Sequence, residues 1–342
     1  MFAVGHTRIL GTGIYLPDNT VTSRELMDEI QAKAKFGISN AWLERITGIR
    51  ERRLAPAGMM PSEMATRAAR EALERSRMRA MDLDMVIYAG MSRDYLEPAT
   101  AHIVQDRIGA RHAVCFDLTN ACHGFMNAIH LLDALIATGQ ARRGLIVTGE
   151  ENWRIGRVAL KLLKECNDRG EFNRLVGGLT VGDAGAAMIV GPKTDPDSGF
   201  AGFMLDSQGQ YNQLCVFSDR EDQHPGHMEM GSIVKEHIQL HADMFPGFMH
   251  KLAWQAQDIK RFVHHQVGRK AFGMHSAYTG IPPRRMTDTV STLGNITSAT
   301  IPVNLHRLID SQEVAMGEKV FIAGAGSGLS ISQAGLVWPP AQ

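Results

Sequence analysis

The sequence predicts an α/β fold made of two similar halves. Short apolar runs typical of buried strands alternate with helical patterns between residues 84 and 192, which favours parallel or mixed sheets covered by helices. The same order of strands and helices returns between residues 258 and 328. Equivalent positions are separated by a nearly constant offset, which indicates an internal duplication. The pairs are Asp84 and Asp258, 174 residues apart, and Asn120 with Asn295 and Gly149 with Gly324, each 175 residues apart.

The first half begins with a strand and ends with a glycine-rich turn and another strand. Residues 7–14 are predicted to form a strand that ends with Gly11 and Gly13. A helix follows, and Thr22 or Ser23 is of the right type to cap its first turn. The remaining elements predicted for this half are a helix at 62–80 and strands at 84–90, 112–118, 143–151 and 179–192.

The second half repeats this order after a polar, loop-rich stretch. A strand is predicted at 258–266, a helix at 270–280 and a last strand at 318–328. We expect the first half to span residues 1–195 and the second residues 196–342.

Composition restricts the classes of function. Basic and acidic residues number 36 each, so the overall charge gives no reason to expect a nucleic acid or a membrane surface as partner. No apolar run approaches the ~20 residues that span a bilayer, and the opening MFAVGHTRILGTG has too short an apolar stretch for a signal peptide. We therefore expect a cytoplasmic protein.

The cysteines and histidines predict no metal site. The 4 cysteines form no CxxC pair, and the 14 histidines do not form the HExxH pattern of a zinc helix. Free thiols in a reducing compartment fit this pattern best. The cysteines are Cys115, Cys122, Cys166 and Cys215.

Cys122 is the first candidate for chemistry. It follows a strand and a short polar segment, and apolar residues at spacings of three and four then indicate a helix with one buried face. At the start of a helix, free backbone N–H groups and the helix dipole favour a thiolate. The alternative is that Cys122, between small residues, is a buried apolar side chain.

Trp42 is the second candidate, because it stands among charged residues in WLERITGIRERR. A tryptophan beside arginines can stack on a flat ring such as an adenine. On composition alone, packing of Trp42 beneath a loop explains the residue equally well.

Two polar clusters in the second half complement Cys122. A strand ends in His264-His265-Gln266, and Asn295 stands on a turn before a helix. If the two halves are equivalent, the duplication puts these two clusters opposite Cys122.

These motifs resemble the thiolase superfamily, in particular its ketoacyl-ACP synthase III branch. The resemblance covers nearly the whole chain. It implies an α/β thiolase-like fold, five-layered as α/β/α/β/α with two duplicated halves. The matching segments are GTGIYLP (11–17), WLERITGIRERR (42–53), DLTNAC (117–122), GDAGAA (182–187), HQ (265–266), GNITSA (294–299) and GAGSG (324–328).

The resemblance also implies the site. Cys122 would be the acylated nucleophile, and His265 and Asn295 would stabilise the enolate of the second substrate. Backbone N–H groups of Cys122, Gly326 and Ser327 would bind the oxyanion. Acyl-CoA would be a substrate, with no cofactor and no metal, and an acyl-carrier protein is the other possible acyl donor. The expected substrate-binding residues are Trp42, Arg45 and Lys270.

Within this branch, the chain is most similar to the enzymes that join two acyl-CoA chains head to head in bacterial olefin biosynthesis. The similar segments are SRDYLEPATA (92–101), FVHHQVGR (262–269) and GSGL (326–329). In those enzymes a glutamate replaces an apolar aromatic residue and reaches into the acyl pocket of the other subunit. Glu97 falls on that position, which implies a homodimer and a base for α-proton removal. Without the resemblance, Glu97 is a polar loop residue.

Some positions depart from the synthase III pattern. Ile46 stands where an arginine is usual, with Arg45 one residue earlier, and Gly268 replaces a second asparagine. His123, next to the nucleophile, belongs to neither group. Decarboxylative condensation with malonyl-ACP, acyl transfer to oxygen or nitrogen, thioester hydrolysis and a pseudo-enzyme partner therefore remain as alternatives.

Overall fold

Strands and helices alternate along the chain in the computed structural model, which describes residues 1–217 and 226–338. The last four residues of the second predicted half lie outside these ranges. The strands are β1 (Phe2–Val4), β2 (Thr7–Tyr15), β3 (Asn19–Thr22), β4 (Glu51–Leu54), β5 (Met85–Tyr88), β6 (Val114–Asp117), β7 (Gly144–Glu150), β8 (Ala184–Pro192), β9 (Gly199–Ser207), β10 (Cys215–Val216), β11 (His227–Met228), β12 (Ile259–His264), β13 (Lys319–Gly326) and β14 (Ser330–Val337).

The helices occupy the segments between them, and the first is capped by Thr22 as its sequence predicts. They are α1 (Ser23–Glu29), α2 (Ala32–Phe36), α3 (Trp42–Thr47), α4 (Pro61–Ser76), α5 (Thr100–Ile108), α6 (Gly124–Ala137), α7 (Trp153–Glu165), α8 (Arg169–Leu175), α9 (Met230–Leu252), α10 (Lys270–Thr279), α11 (Val290–Leu293) and α12 (Thr300–Ser311). Short 3-10 helices lie at Ala80–Asp82, Val176–Thr180, Gly209–Leu214, Ala256–Asp258, Pro283–Arg285 and Thr297–Ala299.

Two mixed sheets carry the duplication that the sequence predicts. The first has the order β2-β8-β7-β5-β6, and the second has the order β1-β9-β14-β13-β12. β5 runs parallel to β7, and in the same way β12 runs parallel to β13. The neighbours that follow on the other side, β8 and β2 in the first sheet and β14 and β9 in the second, are joined by antiparallel pairing. Thus β9, β14, β13 and β12 take the places of β2, β8, β7 and β5.

The two sheets differ at their edges. A counterpart of β6 is reduced to one bridge between Phe262 and Met286, with the Thr287 N–H donating to the Phe262 carbonyl at 3.1 Å. β12 is therefore an edge strand of the described sheet, whereas its counterpart β5 lies inside the first sheet between β7 and β6. β1, from the start of the chain, completes the second sheet at the opposite edge. The division of the chain at residue 195 stays a prediction.

Helices separate and cover the sheets in five layers, which confirms the predicted α/β/α/β/α architecture. α4 and α5 pack on the outer face of the first sheet, and α9 packs on the outer face of the second with α10 against it. α6 and α12 lie between the sheets and touch each other. Within the described ranges, no helix has the length and apolarity needed to cross a membrane.

The main core lies in the middle layer. Phe125, Ile129 and Leu132 on α6, together with Ile301 and Leu305 on α12, are buried in a cluster that includes strand residues of both sheets. Burying a side chain of this size contributes ~1.5–3 kcal/mol. This layer therefore holds together the two halves that supply the candidate site residues.

The contact of α4 with β2 depends on a glycine. A Cβ atom on Gly13 would lie 2.1 Å from the Ala68 carbonyl oxygen and 2.6 Å from the Ala72 nitrogen. Because both neighbours are helix backbone, neither can move without displacing α4.

Gly13→Ala should therefore destabilise the protein by about 1–3 kcal/mol, the usual range for overpacking. The measurement is the midpoint of urea unfolding. Gly247→Ala on α9 is the matched control, since a Cβ there meets no atom within 4 Å and alanine favours a helix over glycine by about 1 kcal/mol. Equal midpoints for Gly13→Ala and the wild type would contradict this account of the contact.

Six histidines are buried between the second sheet, α6, α9 and α10. Burial lowers the pKa of each of them, and the value falls to about 4 for His123 and His264 and to about 3 for His265. The His275 ring packs against those of His264 and His241, with centroids 4.5 Å and 5.8 Å apart. The six are His123, His237, His241, His264, His265 and His275. Within residues 1–217 and 226–338, no group of three or more His, Cys, Asp or Glu is arranged to hold a metal.

These histidines predict a loss of stability in acid. Above an unfolded pKa of about 6.5 both states are neutral, whereas below it the unfolded chain binds protons that the folded chain excludes. The free energy of unfolding therefore decreases as the pH falls from about 6.5 towards 4. Burial raises the pKa of Glu150 to about 7 and of Asp183 to about 6, which acts in the opposite direction but involves only two groups.

We expect the urea midpoint to be clearly lower at pH 5 than at pH 7.5. Each histidine contributes on the order of 1–2 kcal/mol to the difference. An unchanged midpoint over this range would mean that the histidines are accessible to protons in the folded protein.

Candidate functional site

Cys122 lies on the connection from β6 to α6, as the sequence predicts. Asp117, at the end of β6, accepts the N–H groups of Thr100 at 2.9 Å and Ala101 at 2.8 Å, which ties this strand to the start of α5. Ala121 has a left-handed backbone with φ of 47°. This sharp turn precedes Cys122, and the helix begins at Gly124.

The expected lowering of the thiol pKa is wrong for this structure. Burial of the thiol raises the pKa of Cys122, and the nearby Cys215 and Glu150 raise it further. Burial outweighs any stabilisation by the helix N-terminus, and Cys122 lies two residues before α6, where His123 occupies the N-cap. The free thiol is therefore protonated at neutral pH.

His265 follows the last residue of β12 and is held by the neighbouring strand. Its N–H donates to the Ala323 carbonyl at 2.9 Å, and its side chain is only 8% exposed. Burial lowers the pKa of His265 to about 3, so the imidazole is neutral. Its Nδ1 atom is buried and has no hydrogen-bond partner among the described residues.

Gln266 has a structural part in this segment. Its Oε1 atom accepts the N–H groups of Thr289 and Val290, each at 3.0 Å, and its Nε2 donates to the Thr287 carbonyl at 2.7 Å. This buried amide links the end of β12 to the segment that leads to Asn295.

Asn295 is clasped by the segment before β8. Its N–H donates to the Thr180 carbonyl at 2.9 Å, and its own carbonyl accepts the Gly182 N–H at 3.1 Å. Its Oδ1 accepts the Thr297 N–H at 3.0 Å. The side-chain oxygen is thus engaged, which leaves the NH₂ end to donate.

The second half packs directly against the Cys122 turn. A Cβ on Gly326 would lie 2.8 Å from the His123 nitrogen, so the turn after β13 touches the backbone next to Cys122. The Ser298 hydroxyl accepts the Phe125 N–H at 3.0 Å and donates to the Ala89 carbonyl at 2.6 Å. The loops of Gly326 and Asn295 therefore both reach the segment around Cys122.

His123 and Cys215 are two neighbours of Cys122 with different surroundings. His123 contacts Asn127 Oδ1 at 2.8 Å through Nδ1 and the Ser332 hydroxyl at 2.7 Å through Nε2. It is buried between α6 and β14. Burial raises the pKa of the Cys215 thiol and the nearby Ser327 lowers it, and Cys215 lies close enough to interact electrostatically with Cys122.

Trp42 and Lys270 line an open, mostly apolar cavity of about 770 Å³. The Trp42 ring packs on Phe172 with centroids 5.6 Å apart, so it is half-buried. The cavity extends to Thr180, whose carbonyl holds Asn295, and to Met228, which pairs with Cys215 in the short β10–β11 ribbon. Cys122, His265 and Asn295 are not among its lining residues.

Arg45 faces a neighbouring surface pocket of about 730 Å³. This pocket shares Lys270 with the first and also contains Arg269 and Arg284, with Asp288 paired to Arg269 at 3.2 Å. The sequence analysis missed Arg269 and Arg284, and it also missed Arg174 in the apolar cavity. No sequence motif marks these three arginines as binding residues, since isolated arginines in helices and loops are common.

Glu97 lies apart from the other candidates. It is exposed in the loop after β5, beside Tyr95 and Leu96, whose side chains are 55% and 77% exposed. Asp94 anchors this loop by accepting the Ser62 N–H at 2.8 Å. Within one chain, the structure does not bring Glu97 to Cys122.

Family models match two parts of the chain. The model of 3-oxoacyl-[acyl-carrier-protein (ACP)] synthase III matches residues 116–156, and the model of its C-terminal part matches residues 249–338. The first range contains Cys122, and the second contains His265 and Asn295.

Two proteins are similar over nearly the full length. The acyl-CoA:acyl-CoA alkyltransferase of Xanthomonas campestris pv. campestris is 30% identical over 325 residues, covering 94% of this chain and 95% of that protein. The β-ketoacyl-[acyl-carrier-protein] synthase III of Laribacter hongkongensis is 28% identical over 331 residues, covering 95% and 97% respectively.

Solved structures of OleA are similar to this chain over nearly its full length. OleA of Xanthomonas campestris, as a cysteine-to-serine variant with bound lauric acid and lauroyl-CoA, has a TM-score of 0.92 at 28% identity, covering 98% of this chain and 100% of that chain. Other matched structures are OleA variants with a glutamate or a histidine replaced by alanine, with TM-scores of 0.91 and 0.90. Being 30% identical to the alkyltransferase over nearly all of its length, the chain belongs to the thiolase superfamily of condensing enzymes, in the branch that contains β-ketoacyl-ACP synthase III and OleA.

Proposed function

We propose that this protein joins two acyl-CoA chains by a Claisen condensation without decarboxylation, through an acyl thioester on Cys122, and releases a β-keto acyl product. The observation that carries the proposal is Glu97, on an anchored and exposed loop, in a chain that also has Cys122, His265 and Asn295. The similarity to the alkyltransferase supports the same reaction.

The first step is acyl transfer to Cys122. The sulfur attacks the thioester carbonyl, CoA leaves as the thiol, and the proton of Cys122 ends on the departing sulfur. Backbone N–H groups of Cys122, Gly326 and Ser327 would stabilise the oxyanion. The close approach of Gly326 to the Cys122 turn supports this assignment.

The second step needs an enolate beside a thioester carbonyl. A neutral His265 and the amide NH₂ of Asn295 can each donate a hydrogen bond to the enolate oxygen. Loss of one such donor typically lowers the rate ~10²–10³-fold. The enolate then attacks the acyl-Cys122 carbonyl, and the Cys122 thiolate leaves.

Glu97 is the proposed base for the α-proton. A carboxylate in an apolar acyl pocket has a raised pKa and is suited to this task. Glu97 can act only from a neighbouring subunit, which requires a homodimer. β6 supports such a dimer, because it is an open sheet edge with Val114 62% exposed, and such edges pair readily with a second chain.

The two surface pockets suit the CoA moiety. Trp42 offers an aromatic face, and Arg174 and Lys270 offer positive charge to phosphates at the cavity that leads towards Cys215 and Asn295. Arg45 adds charge at the adjoining pocket. We assign Trp42, Arg45 and Lys270 to CoA binding on this basis.

Decarboxylative condensation with malonyl-ACP is the second candidate. The basic pocket of Arg45, Arg269 and Arg284 favours it to the extent that the carrier protein offers a complementary acidic surface. Loss of carbon dioxide generates the enolate directly, so this reaction needs no base. The role of Glu97 therefore separates the two candidates.

Cys122→Ala should abolish the covalent acyl-enzyme, because it removes the proposed nucleophile. The measurement is the intact mass of the protein after incubation with a long-chain acyl-CoA. Cys215→Ala is the matched control, since it removes the neighbouring thiol and should leave the mass increase in place. A mass increase that survives Cys122→Ala would mean that another side chain is acylated.

Glu97→Gln should leave acylation of Cys122 nearly intact and lower condensation of acyl-CoA by ~10²–10⁴, the range attributed to general acid–base catalysis. Glutamine keeps the size and hydrogen bonding of the side chain but cannot take a proton. Products are measured from acyl-CoA alone and from acyl-CoA plus malonyl-ACP, with Glu97→Asp as an intermediate variant. Unchanged condensation by Glu97→Gln, with malonyl-ACP consumed and acyl-CoA alone inert, would assign the protein to decarboxylative condensation.

A further inference from the structure

Glu150 is a fully buried carboxyl group at the end of β7 to which the reaction above gives no part. Its Oε1 atom accepts the Met91 N–H at 3.1 Å and the Thr148 hydroxyl at 2.9 Å, and its Oε2 atom accepts the Ser92 N–H at 3.2 Å. In the described ranges no salt bridge reaches Glu150. Burying a carboxyl group without a counter-ion costs free energy. If this position needed only one hydrogen-bond acceptor, a neutral side chain would supply it at a lower cost.

The geometry requires both oxygens of a carboxyl group. The N–H groups of Met91 and Ser92 are successive backbone donors, and each has its own oxygen of Glu150. An amide offers only one acceptor oxygen and would turn its NH₂ group towards the other donor. The isosteric glutamine therefore fits this position poorly.

Met91 and Ser92 begin the loop that carries Glu97. The loop is held again by Tyr88, whose hydroxyl lies within hydrogen-bond distance of the carbonyls of Ser92 and Gly149 and shares its one proton between them. At its middle, Asp94 accepts the N–H of Ser62 and hydrogen-bonds with the Ser62 hydroxyl. Beyond Asp94, the side chains of Tyr95, Leu96 and Glu97 are exposed. Glu150 thus helps to hold the start of the loop whose tip, Tyr95 to Glu97, is exposed.

A second connection runs from Glu150 towards Asn295 of its own subunit. Thr297 lies beside the Glu150 carboxyl and lowers its pKa. The Thr297 hydroxyl donates to Asn152 Oδ1 at 3.2 Å, and the Thr297 N–H donates to Asn295 Oδ1. Glu150 therefore accepts two backbone hydrogen bonds from the loop of Glu97 and lies beside the loop of Asn295.

We propose that Glu150 is a positioning residue for condensation: its two carboxyl oxygens hold the Met91–Ser92 segment and so set where Glu97 stands in the partner subunit's site. This inference rests on the proposed function of Glu97. Because a misplacement of about 1 Å can cost ~10²-fold in rate, loss of this hold should lower condensation without affecting acylation of Cys122.

The first experiment compares Glu150→Gln with Glu151→Gln. Glu151 is the adjacent residue and pairs on the surface with Arg157, so its variant controls for loss of charge. We expect Glu150→Gln to lower kcat for condensation ~10–10²-fold with acylation of Cys122 by acyl-CoA unchanged, and Glu151→Gln to leave both unchanged. Equal condensation by the two variants would overturn the inference.

Mixed dimers, purified with two affinity tags, test whether Glu150 acts on the site of the partner subunit or on the site of its own subunit. In a dimer of C122A and E150Q subunits, the single nucleophile faces a Glu97 on an intact loop, so condensation should equal that of a C122A and wild-type dimer. In a dimer of a wild-type subunit and a subunit carrying both C122A and E150Q, the nucleophile faces the disturbed loop, so condensation should be reduced as in the E150Q homodimer. The reverse pattern would show that Glu150 acts through Thr297 and Asn295 of its own subunit, which overturns the inference.

Ser62→Ala is the second variant, for the case in which Glu150→Gln does not fold. It removes the hydroxyl that contacts Asp94 and should give a smaller loss with the same dependence on the partner subunit. No loss of condensation in this variant would contradict the inference. If Glu97→Gln itself condenses like the wild type, the proposed function fails whatever Glu150 does. If Glu97→Gln is impaired and Glu150→Gln is not, only the present inference fails.

Discussion

The close contact of the two halves around the Cys122 turn is the constraint on which the rest of the structure depends. The Ser298 hydroxyl, from the second half, bridges the Phe125 N–H and the Ala89 carbonyl of the first. Gly326 lies so close to the backbone of His123 that no side chain fits there. These contacts place the loops of both halves against one turn, so a shift of either half would change the site.

Burial of the ionisable groups near this contact decides their charge states. The thiol of Cys122 is held protonated and the imidazole of His265 neutral because burial disfavours their charged forms. A neutral imidazole can donate a hydrogen bond to an enolate. The thiol of Cys122, in contrast, is protonated in the free protein. Its proton must therefore move to the departing CoA sulfur during acyl transfer.

The surface completes this picture in two places. One is the apolar cavity at Trp42, which extends inward to Thr180 and so to the loop of Asn295. The other is the edge strand β6 with the neighbouring exposed loop of Leu96 and Glu97. In the proposed function, the first would take the nucleotide-bearing thioester and the second would contact a second copy of the chain.

The sequence by itself determined the duplicated α/β fold, because the constant offset near 175 residues and the apolar runs report local strand and helix preferences. It also placed Cys122 and Asn295 on turns that precede helices. Only the tertiary structure decided the protonation of Cys122, the loss of a β6 counterpart beside β12 and the hydrogen bonds by which Glu150 holds Met91 and Ser92. The physical reason is that desolvation, edge pairing and buried hydrogen bonds join residues far apart in the chain, and no local pattern records them.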